Sequence, residues 1–329
     1  MHRREGTCAK NATIGGVAGF ARSLIRRVRH EDEIAALRRR VARLERRLRE
    51  LEGGEHIAPG DMVWIFGAGR TGSTWLGRMM GGLPGYGFWN EPLIGYMFGH
   101  LYYNRGEYLH GSRGFLLGGD RKTWLPPMRR YILDAASAKF PRVARNSWRL
   151  VIKEPHGSVG APLIMEALPE SRMVLLIRDP RDVVASRLDA RRPGGWARKR
   201  RRYDEVGDED AFVRELARAF LREMLPAKEA YERHGGAKVL VRYEELRADA
   251  LGTMRRVYEE LGLPVDGDAL RRVVKEHAWE NIPEEEKGPG RIRRKAKPGG
   301  WREDLSRDQA RAVEKIAASF IEEFYAAAP

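Results

Sequence analysis

Residues 62 to 76, MVWIFGAGRTGSTWL, run from an unbroken apolar stretch through a glycine-punctuated turn into a helix start. A short apolar run bounded by turn residues reads as a strand buried on both faces, and such strands belong to parallel sheets covered by helices. The turn that follows sets backbone N–H groups at a helix N-terminus, the arrangement that cradles a phosphate. Gly67 and Gly72 keep the spacing of a nucleotide triphosphatase loop, but Ser73 and Thr74 follow where that loop has Lys and then Ser or Thr. The positive charge sits inside the loop instead, at Arg70. The loop is therefore suited to a 5'-phosphate group, which it meets with N–H groups, two hydroxyls and one guanidinium. It lacks the lysine that Walker-type phosphoryl-transfer enzymes place on the β/γ-phosphates.

The rest of the chain repeats the alternation of strand and helix. Short apolar runs at 62–66, 150–152, 173–177 and 238–241 predict buried strands. Helices are predicted over 73–80, 182–191, 211–233 with a bend at Pro226, and 248–261 with Gly262 as the C-terminal cap. A last helix starts at the capping box Ser306-Arg-Asp-Gln309 and carries Val313, Ile316, Phe320, Ile321 and Phe324 on one face. The expected fold class is α/β, a mainly parallel central sheet flanked by helices over residues 61–329, with its ligand site at the carboxyl ends of the strands.

Two segments precede that domain. Residues 1–30 are basic and without pattern, and read as a mobile arm. Residues 31–54 read as a coiled-coil helix, because Ile34, Leu37, Val41, Leu44, Leu48 and Leu51 alternate spacings of three and four. In a parallel pair Glu33 faces Arg38, Arg40 faces Glu45 and Arg47 faces Glu52, each of opposite sign. The expectation is a homodimer aided by residues 31–52, since a coil of about three heptads is marginal alone. Gly53-Gly54 and Pro59-Gly60 form a hinge before the domain.

With 61 Lys and Arg against 46 Asp and Glu, the formal net charge of +15 favours anionic ligands without choosing among them. Cys8 is the one cysteine, which excludes an internal disulfide or thiolate metal site and suits a cytoplasmic protein. The most apolar N-terminal stretch, 12–21, is short, glycine-rich and ended by Arg22, so neither a transmembrane segment nor a secretory signal is expected.

A second anion motif follows the apolar run 173–177. Arg178 leaves that strand at its carboxyl end, and Ser186 lies eight residues on, within the next helix, so both are placed to converge on one phosphate. Arg294-Lys295-Ala296-Lys297-Pro298-Gly299-Gly300-Trp301 adds a basic turn near the carboxyl end, and Tyr243-Glu244-Glu245 follows the strand at 238–241. Together these segments resemble the sulfotransferases that use 3'-phosphoadenosine 5'-phosphosulfate (PAPS). Arg70-Thr71-Gly72-Ser73-Thr74-Trp75 is similar to the 5'-phosphosulfate loop of that family at every position, and Arg178 with Ser186 resembles its 3'-phosphate motif. The turn at 294–301 resembles the stretch that closes over the 3'-phosphate and adenine, although Ala296 and Gly300 stand where Gly and Asp belong. By the same resemblance Arg294 and Lys295 supply charge there and Tyr243 touches the adenine.

The resemblance covers about residues 62–325. It implies a P-loop nucleotide-kinase-like fold, PAPS as co-substrate, no metal requirement, and a hydroxyl-bearing small-molecule, glycan or lipid acceptor. Many Golgi relatives carry a membrane anchor, and the expectation here is a soluble type without one. Sulfuryl transfer needs positive charge where the bridging oxygen becomes negative, and a base for the acceptor proton. Arg70 lies in the loop at that end of the donor, and Lys153 resembles the lysine that the family aims at the transferring group. Glu91, in Phe-Trp-Asn-Glu-Pro, and His156, in Lys-Glu-Pro-His, compete as the base. Glu91 is favoured, with burial beside Trp89 expected to raise its pKa, because two residues rather than one separate Lys153 from His156. Residues 95–149 and 191–210 are expected to frame the acceptor pocket.

Two other classes compete. A small-molecule kinase with a modified P-loop is disfavoured by the missing Gly-Lys-Ser/Thr. A dimeric, basic nucleic-acid-binding protein draws on the cluster at 198–202 and the arm, but those residues lack interleaved aromatics, so no nucleic-acid partner is expected.

Overall fold

The computed structural model describes residues 56–325 apart from 107, 113 and 200–206; the arm expected over 1–30 and the coiled coil expected over 31–54 lie outside the described residues. Five strands form one all-parallel sheet in the order β2-β3-β1-β4-β5, with β1 at Met62–Gly67, β2 at Tyr86–Asn90, β3 at Arg149–Lys153, β4 at Arg172–Ile177 and β5 at Lys238–Arg242. Helix α1 (Ser73–Gly81) follows β1, α2 (Arg121–Lys139) lies between β2 and β3, α3 (Pro180–Arg191) follows β4, and α4 (Glu209–Arg233) leads to β5.

Successive side chains of a strand point to opposite faces, and the core divides accordingly. Trp64 and Phe66 of β1 join Ile152, Leu175 and Phe220 on one face, while Val63 and Ile65 join Val151, Val174, Met79 and Tyr258 on the other. Every residue of β1 is buried, which is why its sequence is continuously apolar instead of alternating. Each large side chain so buried contributes about 1.5–3 kcal/mol, and the sheet centre is correspondingly rigid under the loop that leaves it.

The four expected strands are present. The fifth, β2, was not expected, and it forms the edge beside β3, with Asn90 in register with Lys153. Helix α1 packs closely over it: a Cβ on Gly77 or Gly81 would lie within 2.5 Å of Phe88 atoms. The helix expected at 211–233 runs unbroken over Glu209–Arg233 with Pro226 in its interior. Preceded by a short helix that was not expected, Tyr243–Ala248, the helix expected at 248–261 forms over Ala250–Glu260, capped by Asp249, which accepts the Gly252 N–H at 2.8 Å. Gly262, at φ +60°, closes it as expected. The Ser306–Gln309 capping box is formed in both directions, at 3.1 and 3.0 Å, and its helix breaks at Ala317. No described helix is long and apolar enough to cross a membrane.

Strands β1 and β4 are neighbours whose onward connections run to opposite sides of the sheet, so a crevice opens beyond their carboxyl ends. The loop 68–72 leaves one of them and Arg178 leaves the other.

Candidate active site

The candidate residues are gathered by one rule of position: each lies at or just past the carboxyl end of a parallel strand, or on an element packed there. Arg70 follows β1, Glu91 follows β2, Lys153 ends β3, Arg178 follows β4 and Tyr243 follows β5. They surround a single cavity of about 1370 Å³, which Ser186, Arg294, Lys295 and His156 also line. Among the candidates Thr71 does not line it. Thr71 is fully buried and its hydroxyl donates to the Ala68 carbonyl at 2.8 Å, so it braces the loop from below.

The loop turns sharply. Arg70 has φ +77° and Gly72 φ +89°, the second acting as N-cap of α1. A Cβ on Gly72 would come within 2.7 Å of the Tyr243 ring, so glycine lets that ring pack against the loop. Tyr243 in turn carries the Arg178 guanidinium over its face at 4.2 Å and meets Trp75 edge-on at 6.4 Å. The N-terminal amides of α1, with Ser73 and Thr74 in its first turn, open onto the cavity.

Four guanidinium groups converge around the loop. Arg70 Nε donates to Ser186 Oγ at 3.0 Å and its Nη2 to the Ile292 carbonyl at 2.5 Å, while Arg178 Nη1 donates to the Arg70 carbonyl at 3.1 Å. Burial, together with the charges of Arg178, Arg294 and Arg187, lowers the Arg70 pKa to about 10, with Asp189 opposing. Arg70 remains cationic at neutral pH. Arg178 has Asp182 at 3.7 Å, Arg187 pairs with Glu223, and Arg294 pairs with Asp304 at 2.5 Å. The hydrogen-bond partners of Arg70 among the described residues are neutral, so its charge is uncompensated by direct contact. Arg178 Nε is buried without a hydrogen-bond partner.

Lys153 ties the loop to the base candidate. Only 3% exposed, its ammonium donates to Thr74 Oγ1 at 3.0 Å and Asn90 Oδ1 at 3.3 Å and pairs with the Glu91 carboxylate. Burial lowers the Lys153 pKa, and the hydrogen bond and charge of Glu91 oppose it. The Glu91 N–H donates to the Lys153 carbonyl at 2.9 Å, and Glu91 sits at φ +51°. Trp89 packs on Phe140, 5.5 Å between ring centres, and the Glu91 carboxylate lies against Lys153. His156 is exposed and lies over Gly69, where an added Cβ would stand 3.0 Å from its ring. Both base candidates therefore reach the cavity, Glu91 beside Lys153 and His156 beside the start of the loop.

Glu154, fully buried, has a carboxyl pKa pushed up to about 8 by burial. The amides of Ile94 and Leu93 pull it down, yet neither of its oxygens receives a well-formed hydrogen bond. It is predominantly the neutral acid at pH 7.

The basic turn at 294–301 closes one side. Ala296 adopts φ +46°, the backbone region that glycine would enter freely. Asp182 holds the turn by accepting the Gly299 and Trp301 N–H groups at 2.8 and 2.9 Å, and Lys295 reaches Asp304 at 2.8 Å. Several lining groups had no local sequence signal: Asn90, Glu223, and the stretch 276–293, which supplies His277, Trp279 and Ile292. Arg187 adjoins Ser186, and its place in the same motif is the sequence signal for it. Of the two stretches expected to frame the acceptor, 95–149 contributes Tyr96 to the cavity, while 191–210 contributes Arg191, Trp196 and Ala197 among the described residues.

The family model described as "Sulfotransferase family" matches residues 62–267, and the chain belongs to that family. No curated protein sequence matches it. Among solved structures, mouse sulfotransferase SULT7A1 complexed with PAP is similar over 81% of this chain and 86% of its own, with 12% identity and a TM-score of 0.53. Sulfotransferase STF9 from Mycobacterium avium is similar over 86% of this chain and 81% of its own, with 15% identity and a TM-score of 0.50. At these identities the likeness establishes the shared fold.

Proposed function

We propose that this sulfotransferase-family chain transfers the sulfuryl group of PAPS to a hydroxyl acceptor by in-line displacement. The observation that carries the reading is the meeting of two separate anion motifs in one cavity, the loop at Arg70 and the pair Arg178–Ser186, with Arg70 bonded to both. The uncompensated charge of Arg70 and the unpartnered Arg178 Nε suit a ligand with phosphates at both its 5' and 3' positions. PAP in the structure of the mouse relative supports the same donor.

PAPS supplies an activated sulfuryl group whose S–O bond breaks as the acceptor oxygen bonds to sulfur. Glu91 takes the acceptor proton, and its place beside the Lys153 ammonium keeps a carboxylate ready for that role. Arg70, Lys153 and the α1 amides neutralise the charge that develops on the departing 5'-phosphate oxygen. Arg178, Ser186, Arg294 and Lys295 hold the 3'-phosphate side, and Tyr243 and Trp75 flank the adenine. The acceptor enters between His156 and the apolar wall of Leu216, Ala219 and Trp196.

A panel of neutral small-molecule, glycan and lipid alcohols incubated with sulfur-labelled PAPS tests this. The expected result is a labelled sulfate ester with one PAP formed per ester. Magnesium-dependent phosphoryl transfer from ATP, with PAPS left intact, overturns it.

A further inference from the structure

Gly69, the residue before Arg70, has both sides of its backbone held by side chains from two different helices. Its N–H donates to Glu223 Oε2 at 3.1 Å, and its carbonyl accepts from Arg187 Nε and Nη2 at 3.3 and 3.1 Å. Glu223 and Arg187 are also paired with each other, which closes the arrangement into a ring. Arg187 comes from α3, one residue after Ser186, and Glu223 comes from the middle of α4. Their side chains are 8% and 21% exposed, so the pair sits in the wall of the cavity.

The position of this ring is what gives it meaning. The next residue, Arg70, lies at φ +77°, a conformation that costs a residue with a Cβ about 1–2 kcal/mol and persists only where surroundings impose it. A carboxylate beside an anion-binding loop is also costly, because it repels the ligand unless a cation neutralises it. Arg187 provides that neutralisation, and Glu223 spends its oxygen on a loop amide. The Gly69 N–H is thereby turned toward α4, leaving the amides beyond Arg70 for the ligand.

We propose that Glu223 is a positioning residue of the 5'-phosphate loop: by gripping the Gly69 N–H and Arg187 together, it fixes the turn that aims the Arg70 guanidinium into the cavity. The inference rests on the donor reading above and goes beyond it, since Glu223 acts on the 5' end of the ligand without touching it. Glu223 itself bonds Gly69 and Arg187, and not Arg178, Ser186 or Arg294 of the 3'-phosphate side.

Calorimetric titration of wild type, E223A and E223Q with PAP and with adenosine 3'-phosphate separates the possibilities. The ratio of the two affinities in each protein reads the contribution of the 5'-phosphate alone. In E223A that ratio is expected to shrink by about tenfold or more, the scale of a lost hydrogen bond to a charged group, with adenosine 3'-phosphate affinity held within about twofold. E223Q is expected to recover most of the ratio, because its amide oxygen still accepts the Gly69 N–H. Should E223A fail to fold, E223D carries the same expectation, its carboxylate ending one methylene short. An unchanged ratio in the Ala or Asp variant overturns the proposal, as does an equal loss for both ligands or a Gln variant no better than Ala. A wild type that binds both ligands equally overturns the donor reading itself, and this inference with it.

Discussion

At the scale of single residues, Lys153 is the junction of the site. Its ammonium reaches the first turn of α1 through Thr74, the end of β2 through Asn90, and the base candidate Glu91. Glu91 lies beside Lys153 and His156 beside Gly69, so their substitutions test different groups. E91Q should leave PAP binding nearly intact and lower turnover by about a hundredfold or more, the usual scale for a lost general base, while H156A should be the milder change. Single-turnover and steady-state rates measured with one working acceptor decide this, and the reverse order would assign the base to His156. Lys153 and Arg178 were legible in the sequence because each adjoins an expected strand end, a place that motif and hydrophobic pattern mark together, whereas Glu91 was legible only through the resemblance carried by Phe-Trp-Asn-Glu-Pro, its strand being unseen. Glu223 was not. It lies in the middle of a 25-residue amphipathic helix, where a lone Glu looks like any other solvated carboxylate until the helix is packed against the loop.

At the scale of elements, the three central strands β3, β1 and β4 were legible because burial on both faces leaves an unbroken apolar run, and the edge strand β5 was legible from its own short apolar run despite its alternating burial. Strand β2 was hidden for the opposite reason. As an edge strand it is half-buried, contains Gly87 and follows the glycine-rich turn after α1, so its sequence resembles a loop. Its register still determines the chemistry, since pairing Asn90 with Lys153 is what delivers Glu91 to the ammonium. The turn at 294–301 shows a departure from the family pattern carrying a physical cost. Ala296 holds φ +46°, so A296G should stabilise the protein by about 0.5–1 kcal/mol, the left-handed penalty net of the added freedom of glycine in the unfolded chain. Denaturant unfolding of the two proteins measures the difference, and a destabilised A296G would show that the alanine methyl packs well enough to outweigh its strain.

At the scale of the whole molecule, the α/β layout and the ligand edge of the sheet followed from the pattern of apolar runs, and the strand order required the structure. Sequence spacing alone says that 68–72 and Arg178 each leave a strand. The order β2-β3-β1-β4-β5 is what makes those two strands neighbours and places the loops across one crevice. The excess of positive charge then acquires a location: Arg70, Arg178, Arg187 and Arg294 crowd the crevice, and burial, with their repulsion added to it, lowers the pKa of Arg70. An anion with two phosphate positions relieves that repulsion, which is the central claim of the account. Calorimetry with PAP and adenosine 5'-phosphate tests it most directly, since the two ligands differ only in the 3'-phosphate. PAP is expected to bind about a hundredfold more tightly, a difference of about 2.7 kcal/mol that the Arg178, Ser186 and Arg294 side of the cavity supplies. Equal affinities for the two ligands would contradict it.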